Sequence, residues 1–70
     1  MSKPEYVEVA VNVPQVAEMY DYHLPEELVG HVAVGQLIVV PFGRQYVQGV
    51  VVRYIRQPSI PETKPVSNLI

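Results

Sequence analysis

Tyr20-Asp21-Tyr22 sets one carboxylate between two aromatic rings, and Pro41-Phe42-Gly43-Arg44 ends an apolar run with a glycine and then a cation. A carboxylate accepts hydrogen bonds from the edge of a base, and aromatic rings offer faces on which bases stack. Glycine allows the close approach of another backbone, and a cation beside it can meet a phosphate. Residues of these types would suit the end of a nucleic-acid strand. Each also has a plainer reading. Asp21 fits a solvent-facing strand position, and Tyr20 and Tyr22 share one face at a period of two, where core or edge roles serve equally. Pro41, Phe42 and Gly43 are explained by turn chemistry, with Phe42 as a core plug.

Such residues must be held by strands, because strand signals run through nearly the whole chain. Fifteen of the 70 residues are valine, a branched side chain that packs well on a pleated surface. Val7, Val9, Val11 and Val13 alternate with Glu8, Ala10 and Asn12. That period of two predicts a first strand with its valines inward, closed by Pro14. A second strand is expected over Glu18 to Leu24, stopped by Pro25, which has no N–H for a ladder. Glu26 to Gly35 reads as a loop whose Pro-Glu-Glu-Leu start could make a short helical turn. Leu37 to Val40 is an apolar, buried third strand, and Pro41 to Arg44 is a turn. Gln45 to Arg56 is a long fourth strand in which Gly49 marks a bulge or a bend at a barrel corner. Pro58, Pro61 and Pro65 punctuate the tail, and Val66 to Ile70 could add an edge strand. No segment keeps a helical apolar period. The expected fold is all-β: a small, partly open, OB-like barrel of four to six short strands with little or no helix, in a single domain over residues 1–70.

Composition excludes several classes of function. A chain of about this size buries only ~60% of its unfolded surface, which leaves no space for a nucleotide-hydrolysing domain. Cysteine is absent, so neither a disulfide framework nor a thiolate metal site is available. His23 and His31 lack ligand spacing and read as surface or turn residues. Ser2, Ser59 and Ser67 lie near a terminus or in the proline-rich tail, without the context of a nucleophile and its base. Glu26-Glu27 makes a poor acid–base pair. No apolar run approaches the ~20 residues of a membrane span, and Met1 to Glu5 carries no signal-peptide apolar stretch. A cytoplasmic binding module without cofactor is expected. The formal charge of −2 is unevenly spread. Residues 1–35 carry one lysine against six carboxylates, or −5, while residues 36–70 carry four cations against one carboxylate, or +3. Such asymmetry can mark a localised binding surface, and few cations suit a short stretch of backbone.

The ordered set Tyr20-Asp21-Tyr22, Leu24-Pro25-Glu26, Gly35, Ile38, Val40-Pro41-Phe42-Gly43, Gly49-Val50-Val51 and Lys64-Pro65-Val66 resembles the amino terminus of one family. That family is the bacterial primosomal protein N′ (PriA), a replication-restart helicase, and the similarity runs from about Val7 to Val66. The resemblance implies a DNA-binding domain that recognises the 3′-terminal nucleotide of the nascent leading strand at stalled or repaired forks. It assigns the family's aromatic-Asp-Tyr triplet to Tyr20, Asp21 and Tyr22, with Asp21 accepting from the terminal base. It assigns the close-approach glycine to Gly43, the following basic residue to Arg44 and a phosphate-facing lysine to Lys64.

It further implies that this chain is a fragment of a larger ATP-dependent 3′–5′ helicase. ATP and zinc would belong to absent parts of that parent, and other primosome proteins would be met through it. The ending Asn68-Leu69-Ile70 fits a cut within a longer protein better than a natural terminus. The sequence departs from the family at Tyr20, where phenylalanine is usual, and at Thr63, where leucine is. It also departs in Leu37-Ile38-Val39-Val40, a strand that often carries arginines. The competing reading is a small β-barrel that binds proteins by pairing through an exposed strand edge.

Overall fold

The computed structural model describes residues 5–16 and 18–70; Met1 to Pro4, read above for a leader, and Ala17 lie outside the described residues. Six strands form one sheet: β1 (Glu5–Val11), β2 (Met19–Leu24), β3 (Leu37–Phe42), β4 (Gln45–Ile55), β5 (Lys64–Pro65) and β6 (Asn68–Leu69). Their order across the sheet is β5-β2-β1-β4-β3-β6. The only other regular element among the described residues is a 3₁₀ turn over Glu26–Leu28, where Pro25-Glu26-Glu27-Leu28 was expected to turn. No helix of the described residues is long and apolar enough to cross a membrane.

The alternation of β1 works as its sequence requires. Val7, Val9 and Val11 are buried beneath a sheet that curls over them, together with Tyr22 and Leu24 of β2 and Val51 of β4. Ile38 and Val40 of β3 complete the inner face, while Leu37 at the same strand's start is exposed. The third strand is therefore half buried instead of wholly so. It is also longer than its apolar run suggested: Pro41 and Phe42 pair with Tyr46 and Gln45. Only Gly43-Arg44 remains as the loop, with a positive φ at Gly43. A two-residue hairpin loop with glycine first is the pattern of a type II′ turn.

Gly49 serves the close approach of β1 and β4. A Cβ there would lie 2.6 Å from Val9 Cγ1 and 3.1 Å from the Ala10 carbonyl oxygen. The irregularity of register falls elsewhere, between Glu8 and Val9, which face Arg53 and Val51 and leave Val52 over. The close approach at Gly49 and the bulge are thus separate features three residues apart, and the bulge is the one that bends and twists the sheet.

The last seven residues bridge its two edges. β5 pairs in parallel with β2, and β6 pairs antiparallel with β3. Between them Val66 N–H donates to the His23 carbonyl and Ser67 N–H to the Val39 carbonyl, at 2.9 and 2.8 Å. Val66 itself is fully buried. The expected edge strand over Val66 to Ile70 is in fact a crossing segment, anchored at both ends by two-residue pairings.

Candidate nucleic-acid interface

Tyr22 anchors the site. It is buried on the inner face of β2, and its hydroxyl donates to the Pro41 carbonyl at 2.8 Å, joining β2 to β3 across the barrel opening. Burial, with a smaller push from the neighbouring Tyr20, raises its phenol above the ordinary tyrosine value and keeps it a donor. Two positions earlier on the same face, the Tyr20 ring meets the Phe42 ring edge to face, with centroids 5.2 Å apart. Phe42 is only half buried. It packs against the core on one side and forms a wall of the site on the other, so core plug is half its role.

These rings border a cavity of about 190 Å³. Asp21, Gly43 and Lys64 also line it, and Ile60 and Glu62 complete the wall. A dry cavity of ~150 Å³ accepts one benzene ring, whereas drug-sized ligands take ~300–1,000 Å³. The hollow is thus of the size of a single base, with any sugar and phosphate left at its open rim. Gly43 has open space where a Cβ would be, so the rim at the hairpin turn is unobstructed.

Lys64 reaches this place through the ladder. It pairs with Tyr22 in the β2–β5 register, and the preceding Thr63 hydroxyl lies 2.7 Å from His23 Nδ1. His23 is thus a half-buried strand residue that clasps the tail, not the surface or turn residue expected. Ile60, Glu62 and Lys64 follow at a period of two and all three line the cavity, with the chain bending at Ser59 to Pro61 before it enters β5. Ile60 and Lys64 each precede a proline, which disfavours helical backbone at both.

Of the six residues singled out in the sequence, Tyr20, Asp21, Tyr22, Gly43 and Lys64 meet around the cavity, while Arg44 stands outside its lining on the exposed hairpin turn. Sequence reasoning missed Pro41, Phe42, Ile60 and Glu62 as walls. It also missed Ser59, whose backbone N–H and hydroxyl donate to the Asp21 carboxylate at 2.7 and 2.9 Å. The period-two pattern Ile60-Glu62-Lys64 between prolines was the one available signal.

The acidic and basic halves of the sequence do not become two halves in space. β1, from the acidic half, lies between β2 and β4. Arg53 donates to Glu8 at 3.1 Å across that junction, which occupies one of the four cations of the basic half.

The family model of the PriA 3′ DNA-binding domain (3′BD) matches residues 8–70, all but the first seven residues. The chain belongs to this family. No curated protein and no solved structure gives a significant match to it. The 3′BD chain is accordingly a DNA-binding module built on a β-barrel-like sheet, and its cavity joins Tyr20, Asp21 and Tyr22 to Gly43 and Lys64.

Proposed function

We propose that this 3′BD domain holds the 3′-terminal nucleotide of a DNA strand in the cavity between β2, the β3–β4 turn and the segment leading into β5. One observation carries the reading: residues as far apart as Tyr20 and Lys64 line a single base-sized hollow in a chain of the 3′BD family. Asp21 is the acceptor for an N–H of the terminal base, and Tyr20 and Phe42 supply the aromatic wall. Lys64 meets a phosphate, and Gly43 lets the sugar end come close to backbone. Arg44, outside the lining, acts on the strand beyond the terminal nucleotide. In a parent protein the domain would read the nascent leading strand at stalled or repaired forks for a cytoplasmic replication-restart helicase. That parent would carry ATP and zinc sites outside this chain and meet other primosome proteins. The strand-pairing protein module is less well supported, because the outermost strands β5 and β6 offer two residues each.

Two measurements test the site. Fluorescence titration should show that a phosphate on the 3′ hydroxyl weakens binding, while the same group on the 5′ end leaves it unchanged. Besides filling the cavity, that phosphate would face Asp21 and Glu62. Equal binding to both blocked strands would indicate a general groove and overturn the reading. The second measurement is salt dependence. Each single-strand phosphate contact contributes about −0.7 to the slope of log affinity against log salt, and a terminal pocket touches about one to three phosphates. Lys64→Ala should lower affinity for every sequence and flatten the slope by about 0.7. An unchanged slope would remove Lys64 from the phosphate role.

A further inference from the structure

The charged residues that line the cavity are Asp21, Glu62 and Lys64. The Asp21 carboxylate is engaged by Ser59, itself outside the lining. Glu62 and Lys64 are exposed, and neither forms an ion pair with another described residue. The structure also shows how these two are aimed. Asp21 and His23 alternate along β2 with the inward Tyr20 and Tyr22, so they face the outer side of the sheet. There Asp21 holds Ser59, and His23 Nδ1 lies 2.7 Å from the Thr63 hydroxyl. With Thr63 turned outward, its neighbours Glu62 and Lys64 are left to the cavity side, where Lys64 pairs with the inward Tyr22. An anion and a cation, two positions apart, share one wall.

That pattern matches the chemistry of a 3′ end. Its last nucleotide carries a phosphodiester on the 5′ side and a neutral hydroxyl, a hydrogen-bond donor, on the 3′ side. With the phosphodiester at Lys64, the hydroxyl meets a carboxylate acceptor. A phosphate on the 3′ oxygen would remove the donor and bring about −1.5 to −2 charges at pH 7 against the same carboxylate. Size is the weaker barrier, because the rim at Gly43 is open. Resting on the terminal-nucleotide reading above, we infer that Glu62 is a specificity-determining residue: its carboxylate accepts a 3′ hydroxyl and refuses a 3′ phosphate by charge. The ends this domain takes are then those that strand synthesis leaves with a free hydroxyl. Ends that cleavage leaves with a 3′ phosphate are refused until that phosphate is hydrolysed.

Fluorescence anisotropy with the 70-residue chain tests this on three strands. One ends in a free 3′ hydroxyl, one in a 3′ phosphate and one in a 3′-O-methyl group, which blocks the end without charge. The unaltered protein should bind the phosphorylated end roughly tenfold more weakly than the free one, the effect of two charges near one carboxylate in watery surroundings. The methylated end should lose less. Glu62→Gln keeps an acceptor but not the charge, and should narrow the gap between phosphorylated and free ends several-fold. Glu62→Lys should bind the phosphorylated end better than the free one. Raising salt from about 0.05 to about 0.5 M should shrink the preference of the unaltered protein and leave that of Glu62→Gln little changed. Glu62 is exposed, so melting curves should show both variants folded. The inference fails if both variants keep the full preference for free ends. It fails equally if the methylated end is refused as strongly as the phosphorylated one, since size would then be the cause. Failure of the unaltered protein to distinguish free from blocked 3′ ends would instead overturn the terminal-nucleotide reading itself.

Discussion

Asp21→Ala should lower affinity for a free 3′ end by at least about tenfold. A hydrogen bond to a charged group is worth roughly 1.5–3 kcal/mol, and each 1.4 kcal/mol is about a factor of ten. The loss has two sources here. The variant removes the acceptor from the cavity, and it releases Ser59, which loosens the loop that brings Ile60 and Glu62 to the wall. Asp21→Asn separates the two, because the amide oxygen can still accept from Ser59 while its NH₂ replaces the open carboxylate oxygen. Titration of both variants against a free-ended strand, with a melting curve for each, is the measurement. Unchanged affinity in Asp21→Ala would remove Asp21 from the site.

Gly49→Val should be the most damaging substitution for folding. Its Cβ alone would enter within 2.6 Å of Val9 Cγ1, a fully buried side chain, and within 3.1 Å of a backbone oxygen. Overpacking of a core costs about 1–3 kcal/mol and sometimes more, in a domain of a size that rarely has more than ~3–5 kcal/mol to spare. In a chain of this length 1 kcal/mol moves the midpoint by about 4–8 °C. A drop of roughly 10 °C or more in Tm is expected, or no cooperative transition at all. A Tm unchanged within error would show that β1 and β4 can separate at no cost, contrary to the close approach between them.

Much of the fold was legible because β-strand signals are local. The valine alternation of β1 and the prolines that end β2 and interrupt the tail act within a few residues of themselves. Glycine at the hairpin turn was legible for the same reason, since a positive φ is a demand made at one position. Phe42 misled because an aromatic ring next to an apolar run fits a core and a pocket wall equally well. The choice depended on what lay beyond it, namely Tyr20 on another strand. His23 misled in the same way: its partner Thr63 is 40 positions away.

By itself, then, the sequence determined an all-β chain with an aromatic-Asp-Tyr triplet on a strand, a glycine-first turn and a lysine before a proline. Those are properties of short windows. Only the tertiary structure decided that they share one cavity. β5 enters the sheet beside β2, and the curl of the sheet brings β3 round to β2, where Tyr22 meets Pro41. It also decided which charges are free: Arg53 meets Glu8 and Ser59 meets Asp21 through pairings between distant positions. The physical reason is that period and propensity set which way a side chain points along its own strand, while strand order and sheet curvature set what it points toward.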